Sequence, residues 1–532
     1  VKNKPTSHLL VQLLIIVATG FGYAAIYMAS LSRGFAPSLW PVARNITVLL
    51  FLSVTFVFII KRFAYRGNLT IFTSAFLLFA VGLLGQYRLF SDPEYVARIA
   101  GRQEQAASYR RAKIRALRAM TIQDGYDEEK LTELFGDPSR RNPRLLSTNQ
   151  IQSQVTAKDF FSTPSTYSPP LAVLALGFAV FFFRKERILS WLQRRSITVA
   201  VAAFVPFIVV AGLARGGKFL GEMTPWEVGK VVFLVSLAGI LVDTYSVMGL
   251  TKLGLPPFRF LLPLVVVTAF AIMPFFLLSD FGQLLVFVLV YLVLYLIAVR
   301  RPLQLVHGLI LVVVISAFGY GLGKIPSRLF VRMHLWHSTW QAPSPDAWWW
   351  KQVVEQRFGA QGQTKFSNDE MWRDQAMQLA QGLFGVSAGE VVGTGVGLGM
   401  PETVPVSESD FIYAAIGEEM GFVGGVIIVV GLLLLGLSGI KITLSATDMF
   451  TRLMGAGATC FLVFQALVNI GGVIKLLPMT GITLPFVSHG GWSLITSFAL
   501  VGMLMAISQE WPVYDGTPRT RKMPAQINRF TD

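Results

Sequence analysis

The 532-residue chain has a single cysteine, Cys460, and five histidines. One cysteine excludes an intrachain disulfide and any metal centre built on several thiolates. Cys460 stands in an apolar run and reads as a small buried residue. Charge is scarce too: Asp, Glu, Lys and Arg make up 14% of the chain, against roughly a quarter in an average soluble protein. Acidic residues are the scarcer sign, 30 against 46 basic ones, for a net charge of +16. No basic stripe interleaved with aromatics accompanies that excess, so no nucleic-acid partner is expected. No Walker loop or dinucleotide fingerprint occurs. The run GTGVGLG at 393–399 follows a polar loop, and its glycines suit a tight turn or a close backbone approach better than ATP binding. No internal repeat is evident, which argues against a transporter built from two repeated halves.

What the chain has in quantity is apolar sequence, 53% of its residues. Apolar segments fall at 9–31, 45–61, 69–88, 169–183, 197–214, 228–248, 260–278, 284–299, 305–322, 410–437, 449–470 and 487–507. Each approaches the length needed to cross ~30 Å of hydrocarbon, which predicts an all-α polytopic membrane protein of about twelve transmembrane helices. The first segment is too long for a signal-peptide core, and a second span follows at once. Basic residues mark every second connection: Lys61, Arg62 and Arg66, then Arg184, Lys185 and Arg187, then Lys252 and Arg259, Arg300 and Arg301, Lys441 and Arg452, and the tail with Arg519, Arg521 and Lys522. The positive-inside rule then makes both termini cytoplasmic. It leaves two large extracytoplasmic loops, 89–168 and 323–409. Helices are expected over 105–121 and around 127–135 in the first. In the second, DAWWWKQVVEQRF and SNDEMWRDQAMQLAQGLF read as amphipathic pieces. The Trp348–Trp350 run suits either a membrane interface or a plain surface helix.

Carboxylates sit where apolar sequence should be unbroken, in ESDFIYAAIGEEMGFVGG at 408–425. An ionisable group inside a span marks either a functional cavity or a structural ion pair. Asp410 begins the helix, where the dipole favours an acid as a cap. Glu418 lies eight residues further in, about 12 Å deeper, where capping explains nothing. Glu418 and Glu419 therefore line a site or pair with a cation, and Lys230 and Lys475 are available. Glu227 and Asp280 start helices on the same outer side and admit the same two readings. His489 is a proton carrier or a hydrogen-bonded structural residue.

These stretches, with NIGGVIKLLPMTGITLPFVSHGGWSLITSFALVGML after them, resemble the SEDS family of cell-wall polymerases, the RodA, FtsW and SpoVE type. Asp410, Phe411, Ile412, Gly417, Glu418, Glu419 and Gly421 match one family motif. Pro478, Thr480, Gly481, Leu484, Pro485, Phe486, Ser488, Gly490 and Gly491 match a second. TPWEVGK at 224–230 keeps Pro225, Glu227 and Lys230 of a third, and SDFGQ at 279–283 keeps Asp280 and Gly282 of a fourth. The resemblance implies two added N-terminal helices over 1–68, a SEDS-like core of about ten helices over 69–508, and a cytoplasmic tail over 509–532. It implies a protein of the bacterial cytoplasmic membrane that polymerises lipid II into peptidoglycan glycan strands. It also implies a class B penicillin-binding protein as partner and a divalent cation, Mg or Mn, as cofactor. Arg215 and Lys218 then stand where a diphosphate could be met, and Ser488 and His489 join the substrate-binding set with Asp410, Glu418, Glu419, Glu227, Lys230, Asp280 and Arg215.

The chain departs from the family in its outer loop. A family Asp stands there in a Trp-x-Asp-Pro context. From the N-terminal flank Trp340 and Pro343 match, and Ala342 occupies the Asp position. From the C-terminal flank Gln375 and Gln378 match, and the position falls on Asn368, beside Asp369. An insertion splits the motif, leaving Asp369 and Asp346 as alternatives for the catalytic base. Two further readings stay open: a non-catalytic relative that binds lipid II or scaffolds a wall-synthesis complex, and a flippase of lipid-linked precursors.

Overall fold

The computed structural model describes residues 5–33, 36–99, 168–213, 225–248, 280–299, 327–358 and 367–508, with single positions 108, 262, 267, 268 and 275. Among the described residues every regular element is helical and there is no strand. In chain order they are α1 (Pro5–Ser32), α2 (Trp40–Phe63), α3 (Thr70–Phe90), α4 (Pro93–Ile99), α5 (Ser168–Phe183), α6 (Glu186–Arg194), α7 (Ser196–Leu213), α8 (Pro225–Met248), α9 (Phe281–Val299), α10 (Ser327–Ser338), α11 (Trp348–Phe358), α12 (Asn368–Ala388), α13 (Ile412–Ser445), α14 (Met449–Val473) and α15 (Gly491–Ser508). Seven of these, α1, α2, α3, α9, α13, α14 and α15, are long and apolar enough to cross a membrane. The expected segments 260–278 and 305–322, the helices over 105–121 and 127–135, Arg215, Lys218 and the tail lie outside the described residues, those single positions apart.

The core gathers around α14, whose most apolar window is 78% buried. Small residues let its neighbours close in: Gly457 meets Leu234 of α8 and Leu294 of α9. Phe461, Phe233 and Phe287 stack edge to face across the same three helices. The outermost spans are α1 and α2, which pack on α3 through Tyr23 against Tyr87 and Phe56 against Phe72. Their other faces carry exposed Leu14, Phe21, Val54 and Phe58, as lipid-facing helices should.

The outer helices α10, α11 and α12 enclose a small core of Leu335, Trp350, Val353, Met371, Trp372 and Leu379. The tryptophan run divides: Trp348 is exposed while Trp350 is fully buried, its indole N–H donating to Asn368 Oδ1 at 2.6 Å. Ser367 and Glu370 form a reciprocal capping box that starts α12. Asn368 Nδ2 donates to the Pro343 carbonyl at 2.9 Å. The two flanks of the split motif thus adjoin in space, and α11, from the inserted segment, packs Trp350 and Val353 into the core between them.

From there α12 runs down beside the start of α13, with Gly382 against Phe411 and Gly385 against the Glu418 carboxylate. The chain then turns at Gly389 and returns through 390–403. The turn lies against a break in α13. Gly421 has φ 62° and ψ −159°, a conformation open to glycine alone at little cost. It removes the two helical bonds that would join Phe422 N to Glu418 O and Val423 N to Glu419 O. The returning segment replaces both sides of each. Phe422 N and Val423 N donate to the carbonyls of Glu390 and Val391 at 2.9 and 3.2 Å. The carbonyls of Glu418 and Glu419 accept from Thr394 N and Gly395 N at 2.9 and 3.1 Å. A membrane helix can break only where its freed polar groups find partners, and here a backbone splint supplies all four.

Candidate active site

Two polar centres lie at one end of the spans. The first collects Asp280, Asp410, Arg332, Glu227 and Lys230. Glu227 projects from the first turn of α8 and Lys230 from the second, and both are almost fully buried. The ammonium of Lys230 donates to Glu227 Oε2 at 2.8 Å and to Gln465 Oε1 of α14 at 2.7 Å. Gln465 Nε2 in turn donates to the Thr483 carbonyl at 2.8 Å. One α14 turn on, Asn469 Nδ2 donates to the carbonyls of Asp410 and Ile482 at 2.9 and 2.6 Å. These two amides therefore fix both the Asp410 backbone and the 478–490 loop to α14. Arg332 of α10 donates to the Thr480 carbonyl at 2.7 Å. Gly481, at φ 75°, lets them meet: a Cβ there would lie 3.1 Å from Arg332 NH2 and 3.4 Å from Asp410 Oδ2.

Asp410 is not the cap of α13. The N-cap position is Phe411, and the Asp410 carboxylate accepts instead from Ser409 Oγ at 3.0 Å. Burial pushes its carboxyl up to about 6, with Glu408 and Asp280 adding to the rise and Arg332 opposing it. Asp280, just ahead of α9, is pushed up to about 6 by burial as well, opposed by the Gln283 N–H, Arg332 and Lys230. Two carboxyls held near neutrality beside a guanidinium and an ammonium can exchange a proton with a substrate hydroxyl and face an anionic leaving group. Ser488 and His489 tie the loop together. Ser488 Oγ donates to the Ser409 carbonyl at 2.5 Å and His489 N to the Glu408 carbonyl at 2.7 Å. The His489 ring lies 4.8 Å from Phe90. Burial, with Arg44 nearby, pushes its imidazole down to about 4, so it is neutral at pH 7.

The second centre holds Glu418 and Glu419, and their partners are neither Lys230 nor Lys475. Arg88 of α3 donates through Nε to Glu419 Oε1 at 2.6 Å, and its NH1 and NH2 lie 3.4 Å from Asp92 and Glu402. Glu419 Oε2 accepts from Gly397 N at 2.9 Å, and Glu418 Oε1 from Met400 N at 2.6 Å. Both carboxylates hold the returning loop against α13. Oxygens of Asp92, Glu94 and Glu402, all buried, lie within 4.8 Å of one another. Hard oxygen donors of this kind fit a divalent cation such as Mg or Mn, with Arg88 as a competing charge.

The alternatives for the base lie elsewhere. The Asp346 side chain is 90% exposed and pairs with Lys351 at 3.0 Å. Asp369 is exposed in the first turn of α12. It is thirteen residues from Gly382, which meets Phe411, so roughly 20 Å of helix separates it from Asp410. The sequence reading missed Arg332, Arg88, Gln465 and Asn469. Arg88 carried a signal, as a lone cation ending an apolar run; Arg332 sits in a basic polar loop and carried none.

Comparison with known proteins bears on this geometry. A family model described as cell cycle protein, of the FtsW, RodA and SpoVE type, matches residues 153–511. The peptidoglycan glycosyltransferase RodA of Mycobacterium tuberculosis is 29% identical over 292 residues, 54% of this chain and 55% of that protein. Stage V sporulation protein E of Bacillus subtilis is 37% identical over 143 residues, 26% of this chain and 39% of that one. The chain spans about half the length of the first of these relatives, and less of the second. The solved structure of Thermus thermophilus rod shape determining protein RodA aligns with TM-score 0.39 and 19% identity over 66% of this chain and 93% of that one.

Proposed function

Because the chain belongs to the FtsW, RodA and SpoVE family of cell cycle proteins, we propose that it polymerises lipid II into glycan strands at the outer face of the bacterial cytoplasmic membrane, with both termini in the cytoplasm. The observation that carries this reading is the meeting of Asp410 and Arg332 at Gly481, with Asp280 alongside. Asp410 takes the proton of the acceptor sugar hydroxyl. The freed oxygen bonds to the anomeric carbon of the donor sugar as that carbon's bond to the diphosphate breaks, and the undecaprenyl diphosphate leaves. Arg332 and Lys230 bring positive charge to the side from which it departs. Asp280 shares the proton-accepting role or keeps Arg332 in place. Asp92, Glu94 and Glu402 would be the residues to hold a divalent cation, which would supply positive charge at the second centre. A class B penicillin-binding protein is the proposed partner, and the exposed stacked pair Trp340 and Phe384 on the outer helices offers it an apolar contact.

The test is glycan synthesis by the purified chain from labelled lipid II with Mg or Mn present. Product that disappears in Asp410→Asn supports the assignment. Full product from Asp410→Asn together with loss in Asp369→Asn or Asp346→Asn would move the base to the outer loop. One observation favours a second reading, a lipid II-binding scaffold: Ala342 stands where the family motif has Asp. No product under conditions where a relative is active would select it.

A further inference from the structure

We propose that Arg33, at the end of α1, is a positioning residue for the returning loop 389–403, so that the N-terminal helices set the geometry of the broken helix α13. The inference rests on the functional reading above only for its activity readout. Arg33 is 4% exposed, and its NH2 donates to the Gly399 carbonyl at 2.8 Å across the α1–core boundary. Arg88 NH2 donates to the same carbonyl at 3.0 Å. Gly399 is thereby gripped from two sides, by the added helix and by the core. Two residues earlier, Gly397 faces Ala29 and Ile26 of α1, while its N–H is held by Glu419. One residue later, Met400 N is held by Glu418. The α1 contact therefore falls on the stretch whose amides fix both buried glutamates.

The way Arg33 is buried argues against a role in bulk stability. Its Nε and NH1 have no hydrogen-bond partner among the described residues. A guanidinium buried with donors unfilled lowers stability relative to an apolar side chain of its size. Its one side-chain hydrogen bond to the core is the link to Gly399, and its charge faces Glu402, Asp92 and Glu419 as well as Arg88, so it holds that carbonyl in place beside the buried carboxylates.

The experiment is hydrogen–deuterium exchange on the full chain in lipid nanodiscs, comparing wild type with Arg33→Met, Arg33→Lys and Ala29→Leu. Arg33→Met is expected to raise exchange about tenfold in peptides covering 393–403, leaving those from α14 and α15 unchanged. Arg33→Lys, which keeps a donor, restores most of the protection. Ala29→Leu, which wedges α1 away from Gly397 without altering charge, reproduces the local loss. Glycan synthesis falls severalfold in Arg33→Met and Ala29→Leu. Unchanged exchange over 393–403 in a folded Arg33→Met overturns the proposal, as does a rise spread evenly over the whole chain. A wild type that makes no glycan rejects the proposed function and leaves the exchange comparison to decide this one.

Discussion

The two polar centres are built from the same residue types and differ in how their carboxylates are engaged. Around Arg88, the oxygens of Glu418 and Glu419 accept from backbone amides and from a guanidinium, all buried. Around Arg332, Asp410 and Asp280 are half-buried, raised toward neutrality, and fixed mainly through the backbone by the amides of α14. The first centre uses its charge to close a loop onto a broken helix. The second leaves Asp280 and Asp410 partly exposed beside the buried Lys230–Glu227 pair.

That contrast can be broken experimentally. The largest expected effect is on turnover: Asp410→Asn should lower glycan synthesis by about 10²–10⁴-fold, the usual worth of a general base, while the protein stays folded. Glu419→Gln should do the reverse, costing about 3–5 kcal/mol of stability by leaving Arg88 partly unpaired in a buried site, read as a lowered thermal midpoint. Removing Lys230 as Lys230→Met should destabilise on a similar scale. The double variant Glu227→Gln/Lys230→Met should recover part of the loss, and a cycle without such coupling would mean that the pair does not act as a unit.

A smaller effect is expected from pH. Activity should fall as pH drops through about 6 and Asp410 takes a proton. Stability runs the other way for this group. Its folded carboxyl titrates above the ordinary 3.8, so the folded state holds more protons between that value and about 6, and stability declines as pH rises across the window. Asp410→Asn should therefore raise the thermal midpoint at pH 7.5 and match wild type near pH 3. His489, pushed down to about 4, contributes the opposite slope, with stability lost as pH falls from 6.5 toward 4. The smallest effects belong to Asp346→Asn and Asp369→Asn. Both residues are exposed, and each change should shift stability by less than about 1 kcal/mol and leave synthesis near wild type. A tenfold loss of synthesis in either, with Asp410→Asn still active, would sink the assignment to Asp410.

Much of the fold was legible because lipid imposes a length on apolar sequence. Segment 449–470 is α14 and 487–507 is α15 within a few residues, and the amphipathic pieces became α11 and α12, the latter started by a Ser-x-x-Glu box that the sequence reading passed over. The break in α13 was not legible. Gly421 stands among Gly417, Gly424 and Gly425, and only the backbone of 390–395 tells which glycine leaves the helix. In the candidate site, Asp410, Asp280, Glu227 and Lys230 were readable as ionisable groups at span ends, and they converge. Glu418 and Glu419 drew attention for the same reason, yet their oxygens are taken up by Arg88 and by the amides of the returning loop, because a carboxylate left partly exposed at a span end and one that closes onto a loop look alike in sequence. The loop that occupies them lies next door in the chain and reads only as glycine.

The splint across Gly421 sets a particular tolerance to change. Its bonds run from backbone to backbone, through Glu390 and Val391 on one side and Thr394 and Gly395 on the other. The side chains of Glu390, Val391 and Val392 are exposed and take no part in them. Spelling at Val391 and Val392 is free to drift, Glu390 is restricted by its φ of 45°, which disfavours β-branched residues, and length is fixed. A single residue inserted between Gly389 and Gly393 would throw the rungs out of step and leave two donors and two acceptors without partners. Libraries built on this chain should accept substitutions in that turn readily and reject nearly every insertion or deletion.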